Sequence, residues 1–428
     1  MNILIKSSKI IDPNSRYHNK IMDVLIKNGK INKIAKSINP CPDSISNGNE
    51  KVYKAKNLHL SPGWFDIHAN FGEPGFEQNE TLDSGSKAAL KGGFTGVMVM
   101  PNNQPHIDNK SMIQFIKNAT KGNIVDISPA GNITKGHAGN NIVEMQEMHN
   151  AGCRVFTDDK KSITRNEVMK IAMLYSKDCN ALIMNYPNEK SIANNGHMHE
   201  GITSTLLGIK GIPALAEEMM VDRDLNLCEY TDSRLHLSYI STENSVKKIK
   251  NAKKRKLKVT ADVTIHNLFL TDESINNFDT RYKVMPPLRT KKDNIALIKA
   301  LKDGTIDVIS TDHTPIANEY KKIEFDNAAN GIIALETAFG LLGKYILPKI
   351  DLATLIEKIA INPRKILKIK QVIIKEGEDA NITLFNPDLE WEFDSNDVKS
   401  KSINTPFIGE KLKGKALAIF NNGQFKEC

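Results

Sequence analysis

Eight short apolar or β-branched runs alternate with amphipathic stretches along the middle of this chain of 428 residues. The runs fall at 64–68, 96–100, 124–128, 153–157, 181–185, 235–239, 258–262 and 306–311. Strands that alternate with helices, without strong period-2 patterning, favour a parallel sheet, and eight of them favour closure into a barrel. We therefore predict an α/β chain with a (β/α)8 TIM-type barrel over residues 61–368, whose site lies at the carboxyl ends of the strands.

Both ends of the chain carry a different pattern, in which Gly, Asn and Pro turns separate short strand signals. These signals fall at 3–5, 23–26, 30–34, 58–60, 382–385 and 415–420. Runs bounded by turn residues in this way predict β-strands. We predict one small β-sandwich lobe formed by residues 1–60 and 369–428, with the polar segment 39–50 as a loop.

The composition excludes several classes of function. The formal charge of +8 is spread along the chain, and its densest run, Lys253-Lys254-Arg255-Lys256, is better explained by a solvated helix face than by a nucleic-acid surface. No segment approaches the roughly 20 apolar residues of a membrane span, and the amino terminus lacks a signal-peptide pattern. The five cysteines show no Cys-x-x-Cys pair, which favours reduced thiols. We predict a cytoplasmic protein that binds neither nucleic acid nor membranes.

A series of short motifs runs in order over essentially the whole chain. It includes Asp66-Ile67-His68, Glu73-Pro74-Gly75-Phe76-Glu77, Thr157-Asp158-Asp159, Met198-His199-Glu200-Gly201, Pro286-Pro287-Leu288-Arg289, Thr311-Asp312-His313 and Asn404-Thr405-Pro406-Phe407-Ile408-Gly409. These motifs resemble those of class I dihydroorotases, in the amidohydrolase superfamily. The resemblance implies a barrel with a β-sandwich lobe from both termini. It also implies a role in pyrimidine biosynthesis, namely hydrolysis of dihydroorotate to N-carbamoyl-aspartate or the reverse reaction.

The resemblance places the family's metal ligands at six positions of this chain. Its His-x-His pair falls on His68 and Asn70, its bridging aspartate on Asp159, two further histidines on Asn185 and Tyr239, and its metal-binding, proton-shuttling aspartate on Asp312. An Asn carboxamide is a poor zinc ligand, and a Tyr phenol ligates well only when ionised, far below its usual pKa of about 10. The incomplete set of His68, Asp159 and Asp312 predicts no fully occupied binuclear centre and at most one zinc ion. If the chain is active, Asp312 is its catalytic residue.

The positions that bind substrate in the family have changed as well. The arginine that pairs with the substrate carboxylate falls on Gly72, the asparagine before the Pro-Pro-Leu-Arg run on Met285, and the histidine closing the Asp-His-Ala-Pro-His motif on Ile316. Asn102 is the one clearly retained substrate-binding residue. Without the guanidinium, a carboxylate loses a charge-assisted contact worth about 1.5–3 kcal/mol.

The retained polar residues also have structural interpretations. We favour hydrogen bonding over a single metal ion for His68 and Asp312, because two protein ligands make a weak site. We expect Asp159 to form an ion-paired turn with the neighbouring Lys160. The His197-Met198-His199 segment has ligand-like spacing but lies in a Gly-flanked stretch, which favours a loop. His313 is expected to pack beside the site, and Arg289 to anchor its own loop.

Two hypotheses about function remain. The first is a non-catalytic dihydroorotase-like protein that forms homo-oligomers and acts as a structural partner of aspartate carbamoyltransferase or of an active dihydroorotase paralogue, as inactive copies in this family can do. The second is an active dihydroorotase, or a hydrolase of another cyclic amide, with a remodelled mononuclear metal site. We favour the first, because the six substitutions fall at the chemical positions and the sequence offers no matched set of replacement ligands.

Overall fold

The computed structural model describes residues 2–40 and 50–428, so most of the segment predicted as a loop at 39–50 lies outside the described residues. The strands, in chain order, are β1 (Asn2–Ile10), β2 (Ile21–Lys27), β3 (Lys30–Ala35), β4 (Glu50–Tyr53), β5 (His59–Pro62), β6 (Trp64–Ala69), β7 (Phe94–Val99), β8 (Asp126–Pro129), β9 (Val155–Phe156), β10 (Leu182–Asn185), β11 (Met198–His199), β12 (Gly211–Ile212), β13 (Leu235–Leu237), β14 (Val259–Thr264), β15 (Val308–Ser310), β16 (Ile382–Glu392), β17 (Lys411–Asn421) and β18 (Gln424–Glu427).

Helices fill most of the connections between the central strands. The α-helices are α1 (Leu82–Lys91), α2 (Lys110–Ala119), α3 (Met145–Asn150), α4 (Asn166–Asp178), α5 (Lys190–Ala193), α6 (Ile202–Leu207), α7 (Ala214–Thr231), α8 (Glu243–Lys254), α9 (Lys291–Lys302), α10 (Asn318–Lys321), α11 (Ala338–Tyr345), α12 (Leu352–Ile356) and α13 (Asn362–Ile366). Several begin at side-chain caps, as α8 does where Thr242 Oγ1 accepts from the Ser245 N–H. Such caps satisfy the free amides of the first helical turn.

The central strands close into a parallel barrel. Strands β6, β7 and β8 form one run, and β9, β10, β13, β14 and β15 form the next. A parallel bridge between Gly131 and Phe156 joins β8 to β9, and another between Ala69 and His313 joins β15 back to β6. The eight predicted strands and the (β/α)8 fold class are confirmed. The barrel strands are buried on both faces, and most of their buried side chains are apolar, as is usual in a parallel barrel.

Polar side chains reinforce the closing seam between β15 and β6. Buried Asp66 accepts hydrogen bonds from the backbone N–H of Thr311, at 2.9 Å, and from its hydroxyl, at 2.5 Å. Burial raises the pKa of Asp66 to about 6, and these two hydrogen bonds limit the rise. The seam therefore fixes the start of the segment that carries Asp312.

The two chain ends share one sheet, as the sequence predicts. Its strand order is β18-β17-β16-β5-β1-β2-β3, with β4 beside β1. Residues from both ends pack in its core, among them Ile3 and Ile26 from the amino-terminal end and Ile382 and Phe420 from the carboxyl-terminal end. Burial of apolar surface contributed by both ends holds them together.

The cysteines of the described residues agree with the prediction of reduced thiols. Cys153, Cys179, Cys228 and Cys428 are free, while Cys41 lies outside the described residues. Within residues 2–40 and 50–428, no helix is both long enough and apolar enough to span a membrane.

Candidate functional site

The sequence-predicted site residues meet at one end of the barrel. Asn70, Asp159, Tyr239 and Asp312 each follow the carboxyl end of a barrel strand, and Asn185 is the last residue of β10. The carboxyl ends of parallel barrel strands form a single face, and TIM-barrel active sites are built there.

The backbone at this face adopts an uncommon conformation at three of these positions. The φ angles are 42° at Asp159, 58° at Tyr239 and 50° at Asp312. A left-handed backbone is uncommon for residues other than glycine, and it is an outlier for a bulky residue such as tyrosine. Strain of this kind concentrates at functional sites, where the surrounding structure enforces it. The left-handed backbone at these three strand ends therefore marks this face of the barrel as the candidate site.

An ammonium group contacts the carboxylate of Asp312. Lys160 Nζ lies 2.7 Å from Asp312 Oδ1 and 2.8 Å from Oδ2. Burial raises the pKa of Asp312 to about 6, and the charge of Lys160 limits the rise. The ammonium of Lys160 therefore contacts both carboxylate oxygens of Asp312 that could bind a metal ion. The predicted ion-paired turn at Asp159 is wrong, because Lys160 reaches across to Asp312 instead.

Asp159 is held by neutral donors. It accepts hydrogen bonds from the Tyr239 hydroxyl, at 2.8 Å, and from the amide of Asn102, at 2.5 Å. The same Asn102 amide donates to the side-chain oxygen Oδ1 of Asn70 at 2.7 Å. Burial, together with the nearby carboxylate of Asp159, raises the pKa of Tyr239 well above its ordinary value. The phenol therefore stays protonated as a donor and is a poor metal ligand.

His68 points into a buried cluster beside this network, and its ring centroid lies 4.2 Å from that of Tyr239. Its Nε2 lies 2.7 Å from Asp262 Oδ2, and the Nε2 of His236 lies 2.9 Å from the same oxygen. Burial opposes ionisation of Asp262, but the two imidazoles lower the pKa of its carboxyl. In the part of the chain that the structure describes, His68, His236 and Asp262 are the one group of three possible ligands with ligand atoms within 4.8 Å of one another. That group includes neither Asp159 nor Asp312.

The geometry of this cluster is that of hydrogen bonding. Both Nε2 atoms lie at ordinary hydrogen-bond distances from one carboxylate oxygen. The other oxygen of Asp262 accepts from the Ser310 hydroxyl, at 2.9 Å, and from the backbone N–H of Tyr239, at 3.1 Å. His236 Nδ1 lies 2.8 Å from the hydroxyl of Thr260. All acceptor positions of the carboxylate are thus used by the protein.

Asn185 also turns toward a protein partner. Its amide donates to Asp224 Oδ2 of helix α7 at 2.6 Å, and Arg223 contacts the other oxygen of the same carboxylate at 2.7 Å. The residues present therefore do not fit a binuclear metal centre. His68 and Asp312 are engaged by charged groups of the protein, Asp159 by neutral donors, and Asn185 and Tyr239 cannot replace two imidazoles.

A cavity of about 230 Å³ opens beside this network. Its lining is Asn70, Phe71, Gly72, Phe76, Asn79, Met100, Asn102, Thr314, Pro315 and Ile316. Three positions that the resemblance assigns to substrate binding, Gly72, Asn102 and Ile316, thus line one cavity, whereas Met285 packs on an apolar cluster that includes Ile212. The lining carries no charged side chain among the described residues, so it offers no counter-ion to a substrate carboxylate.

Other retained polar residues have structural roles. Arg289 donates to the Ile212 carbonyl at 2.9 Å, and its guanidinium also lies 3.1 Å from His199 Nδ1. The loop predicted for this histidine segment is wrong at Met198 and His199, which form the short strand β11. His313 Nδ1 accepts from the backbone N–H of Ala334 at 3.1 Å, and its Nε2 lies 3.5 Å from Glu80.

The contacts that Lys160, His236 and Asp262 make at the site were not predicted from the sequence. Lys160 follows β9 and Asp312 follows β15 on the opposite side of the barrel, so nothing in the sequence around either residue indicates their contact. His236 and Asp262 were present inside predicted strands, where a histidine and an aspartate interrupt otherwise apolar runs. A buried charge in such a run requires a partner, and that rule could have singled out both residues.

Comparison with known proteins places the chain. A family model described as "Dihydro-orotase-like" matches residues 58–245. A curated relative named "Dihydroorotase" from Acetivibrio thermocellus is 41% identical over 424 residues and covers 98% of both chains. Another with that name, from Geobacter metallireducens, is 40% identical over 427 residues and covers 99% of both chains.

Solved structures agree on the fold. The L-hydantoinase (dihydropyrimidinase) of Arthrobacter aurescens matches with a TM-score of 0.85 at 20% identity, covering 99% of this chain and 95% of that chain. A dihydropyrimidinase from Brevibacillus agri NCHU1002 matches with a TM-score of 0.83, also at 20% identity, over the same shares of the two chains. The resemblance read from the motifs is confirmed by the full-length relatives, and this chain belongs to the dihydroorotase family.

Proposed function

We propose that this chain is a non-catalytic member of the dihydroorotase family, which serves pyrimidine biosynthesis as a structural partner of aspartate carbamoyltransferase. The observation that carries the proposal is the contact of Lys160 Nζ with both oxygens of Asp312, at 2.7 and 2.8 Å. In the family, the aspartate at this position binds metal and moves a proton. Here its charge is already neutralised by the protein.

The chemistry of amide hydrolysis supports this proposal. A bound metal ion activates water and polarises the carbonyl of the scissile amide. The groups at these strand ends bind one another: Lys160 holds Asp312, and the hydroxyl of Tyr239 holds Asp159. A protonated phenol cannot take a proton from water, and both oxygens of the Asp312 carboxylate already contact the ammonium of Lys160.

The geometry around Gly72 supports the proposal, because it disfavours binding of the substrate carboxylate. A Cβ atom at position 72 would lie 2.2 Å from the carbonyl oxygen of Phe76. The turn from Gly72 to Phe76 therefore has no room for a side chain unless the backbone moves. The family's arginine cannot be restored here by substitution alone, and the cavity stays without a cation for a carboxylate.

Two exposed apolar side chains support the proposed contact with a protein partner. Ile202 and Leu206 lie four residues apart on helix α6 and are 82% and 81% exposed. Residues with this spacing share one face of a helix. Adjacent exposed apolar side chains of this kind are typical of protein contact sites.

The proposal predicts negligible turnover of dihydroorotate by the pure, zinc-supplemented protein in either direction. Asn70→His should not restore activity, because Asn185, Tyr239 and Gly72 still leave the second metal and the substrate carboxylate unheld. Steady-state assays beside an intact family member provide the measurement. Turnover comparable to that of the intact enzyme, lost in Asp312→Ala, would contradict the proposal and favour the remodelled enzyme.

The role of Lys160 predicts a large effect on stability. Lys160→Met leaves the buried Asp312 carboxylate without its partner and should lower the free energy of unfolding by about 3 kcal/mol. Lys161→Met is the matched control, because Lys161 is an exposed neighbour whose ammonium contacts only the His137 carbonyl, and it should change stability by less than about 0.5 kcal/mol. Denaturant unfolding measures both. Equal stabilities of the two variants would show that Lys160 does not hold this site.

The partner assignment predicts that the chain and aspartate carbamoyltransferase from the same organism co-elute in size-exclusion chromatography. The double variant Ile202→Lys and Leu206→Lys should elute separately from that enzyme, because it places two charges in the proposed contact. Ile295→Lys, at a 61% exposed isoleucine of helix α9, is the control and should leave co-elution unchanged. Separate elution of the unmodified chain would exclude this partner.

A further inference from the structure

A second cavity opens at the opposite mouth of the barrel. Its volume is about 510 Å³, and its lining includes Leu182, Leu235 and Val259, the first residues of strands β10, β13 and β14. It therefore lies at the amino ends of the strands, far from the face that carries Asp312. Volumes of this size are typical of sites for small organic ligands.

Basic side chains dominate this cavity. Lys177, Arg234, Lys258 and Lys368 line it, against the single carboxylate of Asp232, so the lining carries a net charge of +3. A cleft lined by one sign of charge raises the local concentration of oppositely charged molecules. We call these five residues and the space between them the basic cavity.

Most of the positive charge in the basic cavity is uncompensated. Lys368 Nζ contacts the side-chain oxygen of Asn180 at 2.7 Å, and Lys177 Nζ contacts the Thr231 carbonyl at 2.9 Å. The guanidinium of Arg234 donates to the carbonyls of Asn180, at 3.2 Å, and Ile366. Within residues 2–40 and 50–428, these three cations form no ion pair. These neutral oxygens satisfy hydrogen bonds without supplying negative charge.

Lys258 is the fourth cation and adds further positive charge to the basic cavity. Lys258 pairs with Asp232 at 2.7 Å, but both side chains are more than half exposed, and exposed pairs of this kind contribute little. Burial lowers the pKa of Arg234. Burial and the charges of Arg234 and Lys258 lower the pKa of Lys368. Positive charges held together in this way gain free energy when an anion binds between them.

We propose that the basic cavity binds the phosphate group of a small molecule. Phosphate matches the donors, because a guanidinium presents paired N–H groups to phosphate oxygens and an ammonium acts as a point charge beside them. The cavity exceeds the space that one phosphate needs, and Leu182, Leu257 and Val259 supply apolar surface in the remainder. Inorganic phosphates and phosphorylated organic molecules share this chemistry.

This site is independent of the proposed loss of catalysis. Its five residues come from helix α4, the segment between α7 and β13, the segment before β14 and the segment after α13, and none of them belongs to the network at the carboxyl ends of the strands. The binding proposal holds whether or not the chain turns over dihydroorotate.

Isothermal titration calorimetry of the full chain tests the proposal with three probes: inorganic phosphate, inorganic pyrophosphate and adenosine diphosphate. We expect saturable binding of pyrophosphate that weakens as salt is raised. Lys368→Gln and Lys177→Gln should each weaken it at least about tenfold, because each removes a charge-assisted contact. Tighter binding of adenosine diphosphate than of pyrophosphate would identify a phosphorylated organic ligand, and equal binding an inorganic one.

Lys365→Gln is the matched control. Lys365 belongs to helix α13, is exposed and does not line the cavity, so the substitution makes the same change in net charge nearby and should leave the affinity within about twofold. Circular dichroism of every variant checks that the fold is retained. Absence of saturable binding for all three probes at millimolar concentration would overturn the proposal. Equal weakening by Lys365→Gln and Lys368→Gln would also overturn it, because the binding would then reflect only the overall charge of +8.

Discussion

Lys160 Nζ and the carboxylate of Asp312 lie 2.7 Å apart at the carboxyl ends of the barrel strands, where the Asp312 side chain is almost fully withdrawn from water. A buried carboxylate needs a positive partner, because its isolated charge in a medium of low dielectric is very costly. A metal ion or a lysine can serve as that partner. Because the lysine is part of the chain, the strand ends stay charge-balanced without a metal, and the surrounding positions are free to pack. The other polar side chains at the strand ends donate to carboxylates, Tyr239 and Asn102 to Asp159 and Asn185 to Asp224.

The scaffold beneath this network does not depend on its chemistry. The barrel closes through the bridge between Ala69 and His313 and through the hydrogen bonds from Thr311 to Asp66. Neither feature uses the side chain of Asn70, Asn185 or Tyr239, so the residue types at these positions do not affect them.

Much of the fold followed from local patterns in the sequence. The eight barrel strands were predictable because each is a short apolar run bounded by polar connections, and the shared terminal sheet because both ends carry turn-bounded strand signals. The substitutions at Asn70, Asn185 and Tyr239 were also visible as changes of residue type. Asn and Tyr are poor zinc ligands, so the loss of a complete ligand set could be predicted from residue type alone.

Contacts between distant segments could not be predicted in this way. Lys160 and Asp312 are 152 residues apart, and nothing local to either residue indicates that they pair. The crowding at Gly72 depends on where the carbonyl of Phe76 points, which is a property of the folded turn. The basic cavity draws its charged residues from four separate segments. Its net charge of +3 cannot be recognised in the sequence, because positive charge is widespread along the chain.

The metal content of the purified protein tests most directly whether side chains replace the metal centre. The measurement is elemental analysis after expression in zinc-containing medium and dialysis, with melting temperatures recorded before and after a chelator. The account predicts well under two zinc ions per chain and a melting temperature that the chelator leaves unchanged, because the carboxylates at the strand ends are held by Lys160, Tyr239 and Asn102. Two tightly held zinc ions per chain, with a melting temperature that falls when they are removed, would contradict it.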